Sequence, residues 1–343
     1  MKHSSLTHSA SGLLLAALIA LPVVMVLACT VGDLPVSFSV TAKALTNGLG
    51  LTHYPLLPLE EGIVWQYRMS RTLMAACSGG GLALCGLVLQ SLLRNALAEP
   101  YLLGISAGAS TGAVSIMLLG FGGGLLTVSG GAFIGACASF GIIMLLAGGM
   151  RDSSYRIILA GVAGTQLFNA LTAYIVSTSA NAEQSRSVMF WLLGSLSGVR
   201  WPDAMLCLLV IAAGLLIILF HARALDTFTF GEEVSATLGT KILQVRIILL
   251  LTTALITAAI VSVIGAVGFI GLVIPHIIKI FRGVRHLVTI PATFLAGCHF
   301  MILADLLSRT LITNQVVPVG VVTALVGAPV FACILYKSRG KSS

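Results

Sequence analysis

Long uncharged stretches alternate with short clusters of charge along this chain, and the stretches have the length of a bilayer. A hydrocarbon core of about 30 Å takes roughly 20 residues at about 1.5 Å each. Leu13 to Cys29 and Thr72 to Leu93 meet that length, the second bounded by Arg71 and Arg94. Tyr101 to Met150 contains no charged residue and is long enough for two crossings, with Gly120, Gly122, Gly123 and Gly124 supplying the turn. Ile157 to Ser177 and Ala204 to Phe220 follow. Between them, Ser187 to Val199 is apolar but too short to cross. It predicts a helix lying at the interface, with Trp191 and Trp201 at headgroup level.

Ile247 to Ile278 is long for one crossing and tight for two, and Gly265, Gly268, Gly271 and Pro275 interrupt it. Lys241 and Arg246 flank one end; Lys279, Arg282 and Arg285 flank the other. If both ends face the cytoplasm, the chain must cross twice there. Leu287 to Leu307 and Val317 to Tyr336 complete about ten spans. The expected fold is all-α and integral to the membrane: one transmembrane domain over 1–343, with a cytoplasmic segment at 226–241. Placing both termini in the cytoplasm puts most of the 19 Lys and Arg on that side, as the orientation rule requires.

Composition sharpens this reading. The chain is 57% hydrophobic and 9% charged, against about 25% charged in a soluble globular domain. The net charge of +8 lies between apolar runs, with no interleaved basic and aromatic stretch, which argues against nucleic acid. All seven cysteines fall inside apolar runs and none forms a C-x-x-C pair, so they read as packing residues rather than disulfides or a zinc site. Lys2 and the run ending Val26-Leu27-Ala28-Cys29 resemble a lipoprotein signal. The run is long for one and further spans follow, so an uncleaved first helix is expected.

No catalytic constellation is present. Gly340-Lys341-Ser342 has Leu335 where a phosphate-binding loop needs its first glycine, so ATP, if used, is bound by another chain. Asp305 and Arg309 are four apart on one helix face, either a local pair that eases insertion or a means of aiming Arg309 outward. With Arg68 and Arg71 it would form a basic outer rim suited to carboxylates of a docking protein. Gln166 and Asn169 could line a path or join helices by hydrogen bonds. His276 and His299 read as packed polar residues. In Gly231-Glu232-Glu233-Val234-Ser235-Ala236-Thr237-Leu238-Gly239, Val234 and Leu238 lie four apart with a glycine at each end. Such a short amphipathic helix fits a partner's cleft as a lever.

Several segments together resemble a known family. They are Arg94-Asn95-Ala96-Leu97-Ala98-Glu99-Pro100 with Leu102 to Ala109, Phe190 to Leu196, Gly231 to Gly239, Gly268 to His276, Leu303-Ala304-Asp305, and Pro318 to Pro329. In this order, from about Ile63 to the C-terminus, the chain resembles permeases of ABC importers for iron–siderophore complexes, haem and cobalamin (the FecCD type). The resemblance implies a type II importer permease in the bacterial inner membrane, with ten helices per subunit and a dimer, of identical or related chains, around the pathway. It implies two ATPase subunits, which bind ATP and Mg, docked on Gly231, Glu232, Glu233, Ala236, Leu238 and Gly239. It further implies an extracytoplasmic substrate-binding protein whose glutamates reach Arg68, Arg71 and Arg309. No cofactor is expected in this chain. Ser70 and Ala96 stand where the family usually has proline, and neither change removes a charge. An ion-coupled secondary transporter would instead bury an ionisable residue at mid-membrane. Only Asp305 comes near, and it lies toward an end. A structural membrane subunit without a pathway is the other rival.

Overall fold

The computed structural model describes residues 2–32, 34–149, 154–313 and 315–339. Among these the secondary structure is helical, apart from one isolated bridge between Ile312 and Gln315. The order begins with α1 (Lys2–Thr30), α2 (Phe38–Gly48) and α3 (Pro58–Glu61), then a π-helical turn (Gly62–Met69) running directly into α4 (Ser70–Leu92). A 3₁₀ turn (Pro100–Leu103) leads to α5 (Ile105–Leu119), followed by α6 (Val128–Leu146), α7 (Ser154–Ser179) and α8 (Ala182–Leu192). Next come α9 (Trp201–Phe220), α10 (Ala222–Phe228), α11 (Glu232–Thr237) and α12 (Ile242–Ile264). The chain ends with α13 (Ile270–Arg282), α14 (His286–Thr310) and α15 (Val319–Arg339).

Among the described residues seven helices are long and apolar enough to cross a bilayer, α5 and α15 carry shorter apolar stretches, and α13 is a further short helix that ends in Lys279 and Arg282. The glycine turn falls as predicted between α5 and α6. Residues 150–153 and the C-terminal Gly340-Lys341-Ser342 lie outside the described residues.

The region 247–278 divides unequally. Helix α12 takes a full crossing of 23 residues, while α13 has 13 and reaches only about 20 Å. The break lies at Gly265 (φ +74°) and Phe269 (φ +70°). Backbone freed inside a membrane must be satisfied by protein. Here the Tyr101 hydroxyl donates to the Val267 carbonyl (2.8 Å) and accepts from the Val267 N–H (2.7 Å).

The expected interfacial helix at 187–199 is displaced. Helix α8 begins where Asn181 accepts from the Gln184 N–H (2.8 Å) while Gln184 accepts from the Asn181 N–H (3.0 Å), a reciprocal cap that outweighs the apolar run. It ends before Gly194 at φ +76°. Trp201 opens α9. Its indole N–H donates to the Trp65 carbonyl (3.0 Å), with the two rings 4.6 Å apart.

Helix α4 is the axis of the molecule, with every residue except Leu73 buried. Against it lies α14, so close that a methyl group added at Gly79 or Gly297 would meet the other's carbonyl oxygen. Lipid tails are as apolar as leucine, so helices in a bilayer gain little by hiding apolar surface and associate through such close packing. Gly297→Ala should therefore destabilise the protein by about 1–3 kcal/mol. Gly141→Ala, the same change where an added methyl meets nothing, should stay within about 0.5 kcal/mol. Thermal unfolding of both variants in detergent checks the contrast.

Candidate functional site

The C-terminus of α1 leaves its last carbonyls without helical partners and carries the negative end of the helix dipole. Two guanidinium groups fill that role. Arg68 donates from Nη1 to the carbonyls of Cys29 (3.0 Å) and Thr30 (3.2 Å), and from Nη2 to that of Leu34. Arg309 donates from Nη1 to Val31 (3.0 Å) and from Nη2 to Ala28 (3.2 Å). The third arginine completes an ionic cluster. Arg71 Nε donates to Asp305 Oδ1 at 2.8 Å, and Arg309 Nε stands 3.1 Å from Oδ2. Arg71 Nη1 also donates to the Tyr67 hydroxyl (3.0 Å) and to Ser197 Oγ (3.3 Å).

Arg68, Arg71 and Arg309 are thus brought together, as the sequence suggested, but they are only 3%, 1% and 4% exposed. Their charge is turned inward onto α1 and Asp305 rather than standing up as a rim. Arg68 and Arg309 still line a cavity of about 120 Å³, shared with Gly32, Leu34 and Tyr67. Of the readings weighed for Asp305, the local pair with Arg309 is present, Arg309 itself is turned inward, and Asp305 also reaches across to Arg71 of α4.

A larger cavity of about 650 Å³ opens along α5 and α7, lined by Tyr101, Ser106, Ser110, Thr165, Asn169 and Thr172 among others. Hydroxyls and an amide at membrane depth, on an otherwise apolar wall, offer hydrogen bonds without charge. Asn169 lies on this wall, whereas Gln166, also exposed, is not among the lining residues. Thr172 hydrogen-bonds Thr111 Oγ1 (2.8 Å), which in turn donates to the Phe168 carbonyl (2.9 Å) and ties α5 to α7.

At the opposite end from the arginines, α11 is the short helix expected between glycines. Gly231 (φ +104°) and Gly239 (φ +79°) hold backbone conformations that other residues rarely adopt. Ser235 is the buried residue of this helix, and its hydroxyl donates to the Gly231 carbonyl within the same turn (2.7 Å). Val234 and Leu238 are 44% and 63% exposed, and Ala236 is exposed beside them. The side chains of Glu232 and Glu233 lie outside the described residues.

Behind α11 is a polar cluster that sequence reasoning missed. The Asp226 carboxylate accepts from the His286 backbone N–H (2.8 Å) and stands 2.7 Å from His286 Nδ1; His286 Nε2 is 2.7 Å from Ser91 Oγ. Lys279 donates to Gln90 Oε1 (3.1 Å), and Gln90 donates to the Gly271 carbonyl (3.2 Å). Asp226 and His286 are visible as polar residues flanking apolar runs, yet nothing local signals a pairing across 60 positions. Among the described residues, no group of three His, Cys, Asp or Glu could hold a metal ion.

A family model described as the FecCD transport family matches residues 18–337. A Halobacterium salinarum protein named "Cobalamin import system permease protein BtuC" is 34% identical over 339 residues, covering 92% of this chain and 89% of its own length. The "Vitamin B12 import system permease protein BtuC" of Klebsiella pneumoniae is 37% identical, covering 81% of this chain and 83% of its own. Among solved structures, an inward-facing metal-chelate type ABC transporter superposes with a TM-score of 0.83 at 27% identity, covering 95% of this chain and 99% of that one.

Removing one partner from a buried ionic cluster leaves charge with nothing to balance it. Asp305→Asn should cost about 3–5 kcal/mol. The double change Arg71→Met with Asp305→Leu, which removes charge of both signs, should cost less. Thermal unfolding of the two variants side by side measures the difference. A second expectation concerns Glu99, in the connection before the 3₁₀ turn, whose carboxyl burial pushes up from its ordinary value to about 7. A raised acid pKa stabilises the fold below the unfolded value, and that contribution is lost as pH rises through about 7. Glu99→Gln should flatten the fall in unfolding temperature between pH 5.5 and 8.

Proposed function

The chain belongs to the FecCD transport family, and from that premise we propose that it is the membrane-spanning permease of an ATP-driven importer, paired with a second permease, identical or related, in a cytoplasmic membrane. The observation that carries this reading is α11: a helix fixed at both ends by left-handed glycines, burying Ser235 and presenting Val234 and Leu238 outward. A connector between two spans has no need of such a build. A lever engaged by a nucleotide-hydrolysing partner does. Two ATPase subunits, binding ATP and Mg, would engage α11, and their closure would change which side the passage faces. The polar wall of Ser106, Ser110, Thr165, Asn169 and Thr172 then forms one half of that passage, completed by the second permease.

A soluble binding protein would deliver cargo at the arginine end. In support, Arg68 and Arg309 line an opening through which a carboxylate could approach them, while Arg71 stands behind as the brace of Asp305. The cargo in this reading is a metal chelate, with a ferric siderophore as first choice. Cobalamin, itself a chelate, is the second reading, and the names of the relatives in Halobacterium salinarum and Klebsiella pneumoniae favour it. Uptake of radiolabelled cobalamin against radiolabelled ferric siderophore by cells expressing the system separates the two.

Leu238→Asp places a charge on the exposed apolar tip of the lever without touching the core. Substrate-stimulated ATP hydrolysis should fall by about 30-fold, the effect of losing about 2 kcal/mol at a contact hot spot, while membrane insertion is unchanged. Stimulated hydrolysis at the wild-type rate would remove α11 from the coupling path.

A further inference from the structure

At Thr229, two residues before the Gly231 that opens α11, a cavity of about 280 Å³ is lined by Gln90, Ser91, Arg94, Thr229, Lys279 and His286 among others. Among the described residues its lining includes two cations, Arg94 and Lys279, and no acid. The nearest carboxylate among the described side chains of this cluster, Asp226, is already engaged by the backbone and ring of His286. Lys279 spends one of its three protons on Gln90 Oε1. Arg94 is exposed and makes no hydrogen bond or ion pair among the described residues; its backbone takes the left-handed conformation (φ +49°), and its guanidinium packs beside Gly231. Two like charges facing a shared, partly dry space repel each other and favour an anion between them.

We propose that this cavity receives an acidic side chain of the ATPase subunit, inserted beside the root of α11. The inference rests on the reading of α11 as the coupling lever and specifies the chemistry of its partner. The position of the cavity decides for a protein carboxylate over a lipid headgroup. Arg94 and Thr229 line it, and the Arg94 guanidinium lies beside Gly231, the residue that opens the helix carrying exposed Val234 and Leu238. Exposed Phe230 (70%), next to Gly231, adds apolar area there, the arrangement of a protein interface with an anchoring charge within it. A carboxylate held there would lock α11 to the ends of α4 and α13, which carry Gln90 and Lys279.

The test uses the full-length chain in lipid nanodiscs with its cognate ATPase subunit, measuring the dissociation constant between 50 and 500 mM salt. Arg94→Gln with Lys279→Gln should weaken binding by about 30-fold at low salt and flatten its salt dependence. The charge-preserving pair Arg94→Lys with Lys279→Arg should stay within about threefold of wild type. If the double glutamine variant does not fold, Arg94→Gln alone, at an exposed position, is read instead, with about fivefold weakening expected. Wild-type affinity and salt slope in the glutamine variants overturn the proposal. So does a defect that appears in discs containing phosphatidylglycerol and vanishes in phosphatidylcholine, because a lipid phosphate is then the occupant. Leu238→Asp run in parallel keeps the two readings apart. If it binds normally, the lever itself fails; if it alone fails to bind, only the carboxylate site is lost.

Discussion

Charge that neither water nor lipid can solvate is the constraint around which this molecule is arranged. Arg68, Arg71, Arg309 and Asp305 are all buried within helices of a membrane-spanning bundle. Each cation is matched by what the fold can supply: a carboxylate for Arg71 and Arg309, and the orphaned carbonyls of α1 for Arg68 and Arg309. The result fastens a peripheral first helix, whose side chains otherwise face outward, to the central pair α4 and α14. Without that fastening, α1 would have little to hold it, since apolar contact gains nothing over contact with lipid.

The same pair of helices is joined along its whole length. Arg71–Asp305 ties one end, the contact of Gly79 with Gly297 closes the middle, and Ser91–His286 ties the other. Asp226 of α10, the helix before α11, extends the last of these ties by its bond to His286. A body cross-linked in this way moves as a unit or not at all. In the proposed importer that unit connects the face offered to the ATPase with the face offered to the binding protein.

Much of this was legible in the sequence, and what was not has identifiable physical causes. Span lengths follow from bilayer thickness, so α4, α7, α9 and α14 lie within a few residues of their predicted bounds. The short helix between Gly231 and Gly239 was equally readable, because glycines, acids and a four-residue apolar spacing are local signals. The interfacial helix shifted because a cap at Asn181, equally local, outweighed the apolar run that had been followed instead. The unequal split of 247–278 depends on Tyr101, whose hydroxyl satisfies Val267 from another part of the chain. The inward turn of Arg68 and Arg309 had no local signal, because the carbonyls that hold them belong to a helix some 40 to 280 positions away. Long-range pairs of this kind, Asp226 with His286 included, leave no periodic trace.

The most direct measurement is uptake of a labelled metal chelate into proteoliposomes holding the permease with its ATPase and binding protein. Accumulation that requires ATP on the ATPase side, and that a proton gradient alone cannot drive, is the expected result. Accumulation in liposomes without ATP, driven by a proton gradient across the permease by itself, would contradict an ATP-powered passage built on the α11 lever.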